Sequence, residues 1–172
     1  MDSRLDVFLA RRSVRHYQKK QIPPQMITDI LEAAMAAPSA VARDPWHFII
    51  VRDKDILESI ADGLPNGKML IDAAAAIVVC GDIEKAHDKQ ESYLLQDCSA
   101  AIENIVLAAT ALGIGTCWLG IHPRPDRISH IRKALGIPAG IIPVAAVSMG
   151  WPTKMPPPRT RFEASLVHTE KW

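Results

Sequence analysis

The sequence predicts a mixed fold of helices and strands, on three observations. Residues 46–51, 75–80 and 141–150 form short apolar runs, rich in β-branched, aromatic and small residues, that read as strands. Stretches with apolar residues at helical spacing separate them. One long stretch, 93–112, would be apolar on almost every side of a helix. The chain has 172 residues, 48% of them hydrophobic and 23% charged. That length and composition suit a single domain over residues 1–172 with a real core.

The elements follow in order. Leu5, Phe8 and Leu9 share a face over 3–11 and predict a short amphipathic helix. Pro23 and Pro24 suit the first turn of a second helix, whose stripe is Ile27, Ile30, Leu31, Ala34 and Met35. It ends before Ala37-Pro38-Ser39, and a polar loop over 40–44 leads to the first strand. Residues 53–61 predict a helix, 63–67 a break, and 68–70 a short turn. The run 75–80, closed by Gly81-Asp82, has the near-continuous apolarity of a buried central strand. In 93–112 the main stripe is Leu94, Cys98, Ala101, Ile102, Ile105, Ala108, Ala109 and Leu112, and Val106, Leu107 and Ala111 extend it. Such a helix is either a core helix or one shared with a second subunit. Gly113-Ile114-Gly115 ends it, and 116–120 reads as a short strand or turn. Ile128, Ile131 and Leu135 mark a helix over 125–135. In the last strand, Pro143 predicts that this end lies at a sheet edge or outside the ladder. Residues 151–158 are too proline-rich for a helix and run extended. The remaining tail carries Phe162, Leu166, Val167 and Trp172 with no core of its own, so it needs a surface to dock on.

Bulk properties remove several function classes. A net charge of +1 with 5% aromatic residues gives no field for nucleic acid. No apolar run is long enough to span a membrane, and Asp2, Arg4 and Asp6 do not resemble a signal peptide. Cys80, Cys98 and Cys117 lie in apolar surroundings without CxxC spacing, which predicts reduced structural thiols and a cytoplasmic location. The histidines lack metal-ligand spacing, so no metal site is expected.

Two arginine groups remain. Arg11-Arg12-Ser13-Val14-Arg15 packs three guanidiniums and a hydroxyl into five residues, either a solvated basic face or an anion cradle. Arg159 and Arg161, spaced i, i+2 on extended chain, share a face and can join the first group around one phosphate. At Trp118-Leu119-Gly120 a glycine would let a planar ring approach the main chain; the alternative is a plain turn with Trp118 in the core. The chain has neither a phosphate loop nor a Gly-x-Ser-x-Gly elbow. With anion-binding arginines and no evident nucleophile, metal cluster or carboxylate pair, the chemistry falls to a cofactor.

Arg11–Arg15, Ala37-Pro38-Ser39-Ala40, Pro45-Trp46-His47-Phe48, Gly113-Ile114-Gly115-Thr116, Trp118-Leu119-Gly120, Gly150-Trp151-Pro152 and Pro158-Arg159-Thr160-Arg161 occur in this order. Together they make the chain resemble the FMN-dependent nitroreductase family over nearly its whole length. The resemblance implies an α+β fold with a central, mainly antiparallel sheet flanked by helices. It also implies an intertwined homodimer with an exchanged C-terminal tail, 152–172, and FMN at the subunit interface. By the same resemblance Arg11, Ser13, Arg159 and Arg161 hold the FMN phosphate, with Arg12 nearby. Arg15 lies by the pyrimidine edge of the flavin, with Asn66 and Lys68 as further candidates there. Pro38, Ser39 and Ala40 come from the other subunit, Trp118 belongs to the site, and the backbone of Leu119 and Gly120 faces the flavin. The implied activity is ping-pong hydride transfer from NADH or NADPH to a small nitroaromatic, quinone or enone, with no catalytic side chain. Flavin binding without turnover is the alternative. Two departures stand out: Ala42 and Asp44 occupy loop positions where the family often has Asn and Gln, and an acidic Asp44 would disfavour anionic substrates.

Overall fold

The computed structural model describes residues 2–172. Its strands are β1 (Trp46–Val51), β2 (Ala75–Asp82), β3 (Gly115–Gly120) and β4 (Ile141–Gly150). They form one sheet in the order β1-β2-β4-β3, with every neighbouring pair antiparallel. The helices are α1 (Asp6–Ala10), α2 (Pro24–Met35), α3 (Lys54–Asp62), α4 (Glu91–Ala111) and α5 (Pro125–Leu135).

The two-residue alternation of the strands sorts the core into two layers. Ile77 and Val79 of β2, with Ala145, Val147 and Met149 of β4, face Ile27 and Ile30 of α2 and the buried side of α4. Ala76, Val78 and Cys80, with Ala146, face Leu57 and Ile60 of α3 and Ile131 of α5. Each central strand is therefore apolar on both sides, which is why 75–80 reads as an unbroken run. Helix ends follow local chemistry. Asp53 caps α3 by accepting from Asp55 and Ile56 N–H at 3.0 Å each. Gly136 closes α5 in the left-handed conformation, φ 64°.

Three readings that the sequence left open are narrowed by the fold. Residues 116–120 form a true strand, β3, at the sheet edge. Pro143 is inside the ladder, opposite Cys80 of β2, where the register shifts between Val79 and Cys80. The β3 ladder stops at Ala145, so this end of β4 has β2 as its only strand neighbour, the local edge at which a proline is tolerated. Finally, within this chain α4 is not enclosed on all sides: Leu95, Ala100, Leu107 and Ala108 are part-exposed. Leu5 and Phe8 of the N-terminal helical segment are exposed as well, as are Phe162, Leu166, Val167 and Trp172 of the tail.

Candidate functional site

The site is built along the outer edge of β3. Residues 13–17 lie beside that edge: Ser13 bridges Thr116 in parallel, and Val14 N–H donates to Thr116 O at 2.8 Å. Tyr17 then bridges Pro152, and its hydroxyl donates to Val14 O and pairs with Ser148 Oγ, both at 2.8 Å. Burial raises the Tyr17 pKa, against the lowering effect of Ser148, so the phenol stays neutral and the clasp stays closed. Two glycines make this approach possible. A Cβ on Gly115 would come within 2.8 Å of Val14, and one on Gly150 within 2.6 Å of the Tyr17 ring.

Continuing the parallel register brings Arg15 level with Trp118, where the two segments part around a cavity of about 490 Å³. Arg15, Asn66, Lys68, Trp118, Leu119 and Gly120 all line it, joined by Leu64, Met69, Cys117 and Arg127. Asn66 and Lys68 arrive on the turn between α3 and β2, whose 3₁₀ segment Lys68–Leu70 packs against α3. Trp118 is 39% exposed, on the cavity wall and not in the core. Because Thr116 O points outward to Val14, alternation aims the backbone groups of Trp118 and Gly120 outward too, while Leu119 turns toward β4. A Cβ on Gly120 would meet nothing closer than His122 O at 3.9 Å, so protein packing does not require the glycine. The space it leaves is open for a flat ligand to reach the backbone.

Arg127 was not legible as a site residue. It sits in the first turn of α5 and reaches back, Nη1 donating to Gly120 O at 2.9 Å. Its Nε is buried without a partner. A cation in a helix's first turn opposes the helix dipole, and that conflict was the available signal. Burial raises the Cys117 thiol pKa, partly offset by Arg15, so this cavity-lining thiol stays protonated near neutrality. Buried Cys80 and Cys98 are pushed up to about 12, chiefly by burial.

The two arginine groups, far apart in sequence, are neighbours in the fold. Thr153 N–H donates to His16 O at 3.1 Å, and Arg159 N–H to Leu9 O at 3.1 Å. The Arg12 guanidinium donates to Pro157 O. The tail thus runs back along residues 9–16, and a recess of about 400 Å³ opens between them, lined by Ser13, Arg15, His16, Lys154 and Pro157. Arg11 lies 4.0 Å from Glu103 of α4, and Arg161 is exposed two residues beyond Arg159.

Pro38, Ser39 and Ala40 do not line the cavity of their own chain. Ser39 Oγ is 2.6 Å from Asp44 Oδ1, and Ala40 N–H donates to Asp97 Oδ1 of α4 at 2.9 Å. The Asp44 carboxylate is therefore taken up locally. Val41, Ala42 and Asp44 hold φ of 46°, 54° and 48°, a costly run for residues with a Cβ. Among the described residues no His, Cys, Asp and Glu cluster could hold a metal ion, and no helix is long and apolar enough to cross a membrane.

The fold is an antiparallel α+β class whose β3 edge, flanked by arginines, opens into a cavity lined by Arg15, Lys68 and Arg127. Comparison with known proteins specifies the class. A family model described as the nitroreductase family matches residues 9–64 and 63–151. An Archaeoglobus fulgidus protein named "Putative NADH dehydrogenase/NAD(P)H nitroreductase" is 44% identical, with all of both chains covered. A crystal structure of the same name from Parabacteroides distasonis superposes with a TM-score of 0.93 at 38% identity, again over all of both chains. Another, from Desulfovibrio desulfuricans, is described as a "putative nitroreductase in complex with fmn". It has a TM-score of 0.85 at 28% identity, covering 100% of this chain and 99% of that one. The chain belongs to the nitroreductase family.

Proposed function

We propose that this protein is an FMN-dependent oxidoreductase that carries electrons from NAD(P)H to a small acceptor such as a nitroaromatic, quinone or enone. The observation that carries the reading is the continuity of the site. A recess between residues 13–16 and 153–157 shares Arg15 with a cavity that has cations on its wall and an open cradle at Gly120. The names of the relatives, and the FMN complex among the solved structures, support the same reading.

The residues present fit the cofactor. Arg11, Arg12, Ser13, Arg159 and Arg161 supply charge-assisted donors for its phosphate. Arg15, with Asn66 and Lys68, supplies donors and positive charge for the pyrimidine edge, which favours the reduced, anionic ring. The outward backbone of Trp118 and Gly120 gives the ring a flat edge, and the Trp118 side chain walls the cavity. When bound, FMN supplies a two-electron carrier that serves donor and acceptor in turn, hence ping-pong kinetics. We assign no catalytic side chain and leave proton delivery to solvent.

In this reading the functional unit is a homodimer. The exposed apolar residues of α1, α4 and the tail 152–172 cover a partner subunit, and Pro38, Ser39 and Ala40 of each chain complete the partner's site. We place the enzyme in the cytoplasm, consistent with three buried free thiols. Anaerobic NADH or NADPH should bleach the flavin of the purified holoprotein, and an acceptor should restore it. Bound flavin that no nicotinamide bleaches would favour a flavin-binding role without turnover.

A further inference from the structure

The cavity holds more positive charge than the proposed cofactor balances. Arg15, Lys68 and Arg127 are among its lining residues, and no Asp or Glu is. On the FMN reading, on which this inference rests, the phosphate lies with Arg11, Arg12, Arg159 and Arg161, and the ring contributes a single negative charge when reduced. One cation at the ring is balanced in that state, and none is when the ring is oxidised.

Arg127 is the cation best placed to act on something else. Its Nη1 donates to Gly120 O at 2.9 Å, which fixes the guanidinium plane across the end of β3 before any ligand arrives. Its Nε is buried and has no acceptor. A buried donor without a partner is unfavourable, so the guanidinium gains from any shift toward the cavity that gives it a further acceptor. A guanidinium held in this way loses little freedom when it meets an oxyanion, whose paired oxygens match the fork.

We propose that Arg127 receives an oxyanion on the second ligand, so that the enzyme selects an anionic reaction partner. The oxyanion is either a carboxylate on the acceptor or the 2′-phosphate of NADPH. Asp44, the residue whose charge would oppose such a ligand, comes with Ser39 to the partner's site on the same reading; its carboxylate accepts from Ser39 Oγ at 2.6 Å, and it is the charge that Arg127 has to outweigh.

The test uses the FMN-loaded protein and two pairs of probes that differ in the oxyanion. Benzoate and benzamide are non-reducible and are followed by calorimetry; NADPH and NADH are compared by KM. Wild-type protein should prefer the anionic member of at least one pair. Arg127→Gln should weaken that member by roughly ten- to a hundred-fold while leaving the neutral member unchanged. A benzoate effect assigns the oxyanion to the acceptor, and an NADPH effect assigns it to the donor. Arg127→Lys, which keeps the charge without the fork, should lose only part of the preference. FMN affinity is measured in every variant. The inference is overturned if wild-type protein shows no anionic preference, or if Arg127→Gln weakens both members alike. Loss of FMN in step with loss of the probe would likewise overturn it, because Arg127 would then serve the cofactor. Failure of wild-type protein to take up FMN at all is a separate result and strikes the proposed function instead.

Discussion

At the residue scale, one question is what brings Arg12 and Arg159 together across most of the chain. The Arg12 guanidinium donates to Pro157 O, and Arg159 N–H donates to Leu9 O at 3.1 Å. These contacts lay the tail beside the arginine cluster, and they turn two ordinary basic stretches into neighbours. On the proposed reading Arg161→Ala removes charge-assisted hydrogen bonds worth roughly 1.5–3 kcal/mol, so FMN affinity should fall about ten- to a hundred-fold by fluorescence titration. An unchanged affinity would count against a shared phosphate site. The arginine types and their spacing were readable in sequence, as was the resemblance that joined them. Arg127 was not, because its role depends on a reach from α5 back to Gly120 O, a tertiary contact with no periodic signature. Gly115 and Gly150 were visible as motif glycines, but their reason, room for Val14 and Tyr17, needed the fold.

At the element scale, strands and helices with clear periodicity or caps were legible: Asp53 announces α3, and Pro125 opens α5. Pro143 marked an end of β4 that has a strand on one side only, beyond the last β3 pair at Ala145, and β3 was ambiguous because a short edge strand resembles a turn. The loop 39–44 has a strained backbone at Ala42, one of the positions where the resemblance leads one to expect another residue. Ala42 holds φ 54° and is exposed, and asparagine, common in the family there, tolerates this conformation far better. Ala42→Asn should raise stability by up to about 1 kcal/mol in denaturant unfolding. No gain, or a loss, would mean that the exposed alanine makes contacts elsewhere that outweigh the backbone strain.

At the scale of the whole molecule, the apolar surfaces left open on α4, the N-terminal helical segment and the tail argue for a second copy. Trp172 is fully exposed and Phe162 is 78% exposed, more apolar area than an isolated chain normally leaves to water. Truncation after Lys154 removes those tail residues and keeps the contacts of Pro152 and Thr153 to residues 16–18. The truncated chain should dissociate at concentrations where the full chain sediments as a dimer; a dimer of equal stability would refute the embracing tail. The central claim is that this fold is built around FMN, and it meets its most direct test in the visible spectrum of the purified protein mixed with FMN and then desalted. The account predicts a yellow protein that retains one FMN per chain and bleaches with NADH or NADPH. A colourless protein that retains no FMN would contradict it.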